Sequence, residues 1–295
     1  MSENKQGTLQ QLLTEELSRY GAVYVPVKSS LLRRLVVRNV RCEKLHPNPE
    51  DEFCKSSVGP SFEIIRKYTN QFRTAGNARI SSSMVYHEDD DALIIERIRP
   101  DGYIILNGHH RWAAGRFAGL DKLPVKIVNL THQEDIEASL RRSDNTRRVT
   151  LDLDEVVFRE HKDNTAEKPL RFPASIQFKE PLRLGVPALF RFLKRNGYDA
   201  WVYTSRYVSM DYLQHYFRAY HTYVTGIVTG MSRKNSGKSE SLLRGRYQQT
   251  IHIDRDTVTV VDSTTKEYQE FHLSGTPASW SQEIMDIVGA LKQHE

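Results

Sequence analysis

The stretch "RVTLDLDEVVF", residues 148–158, decides how the second half of the chain is read. An apolar run with strand character, Val149 to Leu151, ends in two aspartates one residue apart, Asp152 and Asp154. A strand of a parallel sheet delivers such residues to its carboxyl end, where open α/β sheets bind ligands. Two carboxylates at this spacing can share a Mg²⁺ ion, which prefers oxygen ligands. One can attack phosphorus while the other carries the proton. The plainer alternative is a polar loop whose aspartates cap the next helix.

Outward from this point the sequence alternates between strand and helix periods. "GVPALFRFLKRNG" (185–197) predicts a helix closed by Gly197, "DAWVYTS" (199–205) a strand, "MDYLQHYFRAY" (210–220) a helix and "TGIVTG" (225–230) a strand. "TIHID" and "TVTVVD" predict two more strands, and "SQEIMDIVGALKQ" a last helix. Such alternation implies a doubly wound α/β domain with a largely parallel sheet. The strand at 199–205 ends in Thr204 and Ser205, hydroxyls able to bind a phosphate, and "IHIDRD" ends in Asp254 and Asp256. Lys234 and Lys238 lie between them, and either can neutralise a phosphate. "SRKNSGKS" (232–239) comes close to a P-loop, but Ser232 stands where close backbone approach to phosphate needs glycine.

Across roughly 150–262 this set resembles the haloacid dehalogenase (HAD) superfamily of phosphatases. "DLDEV" carries the D-x-D-x-[TV] motif, followed in order by Thr204, a lysine and the late aspartates. The resemblance implies a Rossmann-like domain in which Asp152 is the nucleophile, Asp154 the acid/base and Thr204 a phosphate ligand. It implies a lysine at 234 or 238 and Mg²⁺ held by Asp152, Asp154, Asp254 and Asp256, the part of Asp256 being open. The short gaps between these motifs leave room only for a minimal cap.

In the first half, "LNGHHRW" (106–112) puts two histidines and an arginine on a glycine turn between a strand and a helix. Backbone N–H groups at a helix N-terminus face an anion, and flanking cations add charge-assisted bonds. With "LPVKIVNL" (123–130) after Gly119, the stretch resembles the ParB/sulfiredoxin fold, an α+β domain. The sulfiredoxin cysteine is replaced by His109, and the ParB Gly-Glu-Arg-Arg box is absent. The "GHHRW" form is similar to the free serine kinases of this fold. That likeness implies nucleotide binding (ATP or ADP, with CTP as a further alternative) at Gly108, His109, His110 and Arg111. It also implies a base from "HPNPEDEF", where Glu50 and Glu52 are the candidates beside Asp51. A buried or capping histidine pair is the alternative that needs no ligand.

Secondary structure elsewhere follows the same logic. Helices are expected at 8–21, with Thr8 as N-cap, and at 59–72, with Pro60 in the first turn. "DALIIERI" and "GYIIL" form a strand pair across the turn "RPDG". The polar run "RRSDNTRR" (141–148) reads as a boundary, giving domains 1–145 and 146–295.

The 295 residues suffice for two domains, and no apolar run approaches the ~20 residues of a membrane span. The start carries no signal pattern, which with the composition implies a cytoplasmic protein. Cys42 and Cys54 lack metal or redox spacing and are expected as reduced structural thiols. Most of the net charge of +5 falls before residue 149, which favours anionic partners. The sum of these readings is a phosphate-handling protein: a nucleotide-dependent phosphotransferase with a small hydroxyl acceptor, joined to a Mg²⁺-dependent phosphomonoester hydrolase. The rival is a nucleotide-sensing or nucleic-acid-binding module joined to a phosphatase acting on nucleic-acid ends or a protein.

Overall fold

The computed structural model describes residues 3–20, 24–75, 92–159, 164–231, 237–263, 265, 267–273 and 279–293. The chain divides into two compact units, Met1–Asn129 and Leu130–Glu295.

The first unit runs α1 (Glu3–Tyr20), β1 (Val25–Pro26), α2 (Leu31–Arg34), β2 (Arg38–Arg41), β3 (Leu45–Pro47), α3 (Phe62–Ala75), β4 (Leu93–Arg99), β5 (Tyr103–Asn107), α4 (His109–Ala118) and β6 (Lys122–Val128). Its mixed sheet has the order β2-β6-β4-β5-β3, with β1 paired to β4. The expected β4–β5 hairpin is present, antiparallel, with Ile95 opposite Ile105. Leu93, Ile95, Ile105, Val125 and Ile127 bury against Trp112 and Ala113 of α4 and Ile65 of α3. Two helix starts differ from expectation. α1 begins at Glu3, so Thr8 lies inside the helix. α3 begins at Phe62, so Pro60 precedes it. Of the strand that "AVYVPV" (22–27) predicts, Val25–Pro26 pair with β4, and the Val27 N–H bonds the Arg97 carbonyl. The acidic run "HEDDD" (87–91), which reads as a solvated loop, and Gly21, which reads as the terminator of the first helix, lie outside the described residues.

The second unit runs α5 (Gln133–Leu140), β7 (Arg147–Asp152), α6 (Ala174–Gln177), α7 (Val186–Arg195), β8 (Tyr198–Thr204), α8 (Met210–Ala219), β9 (Gly226–Thr229), α9 (Gly237–Arg244), β10 (Gln249–Ile253), β11 (Thr257–Asp262), β12 (Tyr268–His272) and α10 (Trp280–Gln293). Strand order is β12-β11-β10-β7-β8-β9. β10, β7, β8 and β9 are parallel, and β11 and β12 extend the sheet antiparallel. β12 and α9 are additional to the expected elements.

β8 shows why the sheet is covered on both faces. Every residue from Tyr198 to Thr204 is buried. Ala200 and Val202 pack with Leu189 and Phe190 of α7, while Trp201 and Tyr203 pack with Ile136 of α5 and Leu243 of α9. Alternation along a strand sends successive side chains to opposite faces, so a strand buried at every position is sandwiched.

α5 therefore belongs to the second unit, and the polar run after it is docked. Asp199 is buried, and its Oδ1 accepts hydrogen bonds from Ser143 Oγ (2.8 Å) and Asn145 Nδ2 (2.9 Å). Its Oδ2 accepts from the Tyr247 hydroxyl at 2.7 Å. A buried carboxylate needs such donors, which is why residues expected to form a boundary are polar. The contacts divide the chain ahead of α5.

Candidate functional site

In the first unit, Gly108 starts α4 from the left-handed region, with φ 100°. A Cβ there would come within 2.5 Å of Leu93 Cδ2, so both the conformation and the space favour glycine. No side chain caps α4. The N–H groups of His109, His110 and Arg111 have no intrahelical acceptor, and the first helical bond runs from Trp112 N–H to the Gly108 carbonyl.

The two histidines are bonded within the fold, in line with the alternative that needs no ligand. His109 is buried, its Nε2 accepts the Asn48 N–H (3.1 Å), and its ring stacks on Phe53 with centroids 5.5 Å apart. His110 Nε2 accepts the Ser61 N–H (3.0 Å), and its ring meets Phe53 edge-on at 4.9 Å. Both lone pairs are thus spent on the segment 48–61. Burial pushes His109 down to about 4, against the pull of Asp51, whose Oδ1 lies 3.5 Å from Nδ1. Burial lowers His110 as well, again against Asp51. Neutral imidazoles that accept N–H bonds are not phosphate-holding cations. Their observed work is to pin the acidic loop over the start of α4.

That loop carries Glu50 and Glu52 exposed, and Asp51 as the cap of a short 3₁₀ turn, accepting the Phe53 N–H at 2.9 Å. Arg111 stays beside the turn, with a hydrogen bond to Asn107 Oδ1 at 3.5 Å. His110 is only half-buried and keeps Nδ1–H as a second donor. Cys54 is pushed up to about 12 by burial and by Asp51, and Cys42 is buried, so both thiols fit the structural role expected of them.

In the second unit, β7 and β8 pair in parallel with Asp152 opposite Tyr203, which brings Asp154 to Thr204. A π-helical turn, Leu153–Val157, follows β7, and Asp152 Oδ1 caps it by accepting the N–H groups of Asp154 (2.9 Å) and Glu155 (3.1 Å). Asp152 therefore caps, as the plainer reading expects, through one oxygen, and the other is not used in the cap. Burial pushes the Asp152 carboxyl up, partly offset by these two bonds. Thr204, fully buried, donates its hydroxyl to Asp154 Oδ2 at 2.6 Å and accepts the Arg206 N–H at 3.1 Å.

Arg206 is the residue that the sequence reading missed. Its guanidinium pairs with Asp154 and lies over the Phe158 ring, 5.2 Å from the centroid. Its position two residues after the hydroxyl was the available signal.

The expected magnesium set does not gather. Asp154 is committed to Thr204 and Arg206, and Asp254 follows β10, where its N–H bonds the Thr257 carbonyl. Asp256 interacts instead with Arg183. Among the described residues no group of three or more His, Cys, Asp or Glu side chains is placed to hold a metal ion. As placed, the four carboxylates do not fit Mg²⁺. Lys234 lies outside the described residues, as does the Lys238 side chain on α9.

Residues 64–143 match the family model of the ParB N-terminal domain, a span that contains the Gly108–Arg111 turn. Among solved structures, the C-terminally truncated chromosome-partitioning protein ParB from Caulobacter crescentus, complexed with CTP-gamma-S, matches at 20% identity with a TM-score of 0.23. The match covers 36% of this chain and 59% of that one, so this chain spans less than two thirds of that protein. Curated proteins give no match. No helix among the described residues is long and apolar enough to cross a membrane.

Proposed function

We propose that this is a phosphate-handling protein whose second unit hydrolyses a phosphomonoester and whose first unit binds the phosphates of a nucleotide. The observation that carries the reading is the cluster of Asp152, Asp154, Thr204 and Arg206 at the carboxyl end of adjacent parallel strands. The HAD resemblance implies the first three of these residues, and Arg206 is additional to it.

In the cycle proposed, Asp152 Oδ2 attacks phosphorus and the ester P–O bond breaks. The leaving alkoxide takes the proton of Asp154, giving an aspartyl-phosphate and an alcohol. Water then attacks that phosphorus, the acyl-phosphate P–O bond breaks, and Asp154 takes the water's proton. Aspartate, phosphate and the acid form of Asp154 are regenerated. Arg206 pairs with Asp154 in its carboxylate form, the form the second half needs, and Asp154 takes up a proton from solvent when that pair opens. The half-exposed guanidinium turns onto the substrate phosphate during the first half. Hydrolysis of p-nitrophenyl phosphate by the full chain, lost in Asp152→Asn, tests the reading. Equal rates in the two proteins overturn it.

For the first unit, the uncapped N-terminus of α4, Arg111 and the His110 Nδ1–H supply donors for a polyphosphate. The family match at 64–143 supports the same module. Calorimetric titration with CTP, ATP and ADP identifies the nucleotide, and Arg111→Ala is expected to weaken it about tenfold. A second reading, phosphate transfer to a small hydroxyl acceptor, is favoured by one observation: the histidines hold exposed Glu50 and Glu52 near this turn, where either serves as a base. Its test is a labelled phosphoester formed from γ-labelled ATP by the Asp152→Asn chain and lost in the Glu50→Gln or Glu52→Gln variant.

A further inference from the structure

A second group of charges in the second unit takes no part in that cycle. The short ribbon after the π-helical turn pairs antiparallel with 181–183. Phe158 bridges Leu182, the Arg159 N–H bonds the Pro181 carbonyl (2.9 Å), and the Arg183 N–H bonds the Val157 carbonyl (2.9 Å). This register puts Arg159 and Arg183 on one face as diagonal neighbours. Arg183 is 4% exposed, and among the described residues its Nε and Nη1 have no hydrogen-bond partner.

Its guanidinium lies over the Trp280 ring, 4.4 Å from the centroid. The indole N–H of that same tryptophan donates to the Arg255 carbonyl at 3.2 Å. Trp280 therefore joins Arg183 to Arg255, which directly follows Asp254 at the end of β10. Because β10 and β7 are parallel neighbours, the Arg255 turn and Asp152 share the carboxyl edge of the sheet. Arg183 is lowered to about 10, first by burial, then by Arg159 and Arg255, with Asp256 opposing. Arg159 and Arg255 thus both lie near enough to Arg183 to disfavour its charge, and the exposed carboxylate of Asp256 opposes them. A buried cation with unbonded donors is costly, and an oxyanion placed there satisfies those donors.

We propose that Arg183, Arg159 and Arg255 bind a second phosphate group of the substrate, so that the second unit selects compounds carrying a phosphate besides the one at Asp152. The clause about a shared substrate rests on the hydrolase reading, whereas the anion site itself does not.

The test is a titration of the full chain with inorganic phosphate at constant ionic strength, followed by tryptophan fluorescence. Trp280→Phe identifies the share of Trp280 among the three tryptophans. A saturable change, absent from Trp280→Phe and with its midpoint raised about tenfold in Arg255→Gln, supports the site. Arg255 is exposed, so this variant folds regardless of whether Arg183→Met does. No saturable change, or equal midpoints in wild type and Arg255→Gln, overturns it. A nucleoside bisphosphate and the matching monophosphate are then compared as substrates. A KM advantage for the bisphosphate that disappears in Arg255→Gln, with kcat kept, places both groups on one substrate. An advantage that survives overturns the shared-substrate clause. Absence of all turnover alongside a positive titration counts against the hydrolase reading alone.

Discussion

Two strand-to-helix turns, Gly108–Arg111 and Asp152–Asp154, look alike in sequence: each puts paired ionisable groups at the end of an apolar strand. Their fates differ. The imidazoles at 109 and 110 each give an acceptor nitrogen to a backbone N–H from a distant segment, and burial keeps them neutral. At 152, only one carboxylate oxygen is spent on the cap. A paired motif reads as chemistry only to the extent that its lone pairs and protons are left over from folding.

The largest expected effect tests that contrast directly. Asp152→Asn should lower phosphomonoester hydrolysis by about a thousandfold or more while leaving nucleotide affinity unchanged. A parallel loss of nucleotide affinity would merge the two turns into one function.

His109→Ala should instead cost stability. Removing the ring leaves the Asn48 N–H unbonded and a gap beside Phe53, for about 3 kcal/mol in a denaturant titration. The pH dependence sharpens this point. His109 in the folded chain titrates at about 4 against an ordinary 6.5, so the fold favours the neutral ring. That contribution is complete above pH 6.5 and is lost as pH falls through about 4. Wild type should lose more stability than His109→Ala between these limits. Equal slopes would mean that the ring is not held neutral.

Thr204→Val keeps the buried shape and removes the donor to Asp154. Hydrolysis should fall about tenfold to a hundredfold with the fold retained. The smallest effect is expected in the acid limb of hydrolysis. Because burial raises the Asp152 carboxyl, the limb should lie above the ordinary aspartate position, and a limb at that ordinary position would place Asp152 outside the reaction.

Much of this was legible in the chain because hydrophobic period and turn chemistry are local. The β4–β5 hairpin and the alternation of strands and helices from β7 to β10 follow from patterns that are each local in the chain. The boundary was not legible, since Ser143 and Asn145 resemble linker residues until the buried Asp199 is known to be their partner. The same holds for Asp256, which reads as a metal ligand until Arg183 is found beside it.

The sequence by itself determined the order of strands and helices along the chain, the strand ends at which polar groups emerge, and the glycine turn at 108 between a strand and a helix. Tertiary structure alone decided which of those groups remained available. It set the neutral state of His109 through Asn48 and Phe53, the pairing of Asp154 with Arg206, and the meeting of Arg183 and Arg255 across Trp280. The physical reason is range. Backbone conformation answers to near neighbours, whereas the protonation and hydrogen-bond state of a side chain answers to whatever the fold brings within a few ångströms of it.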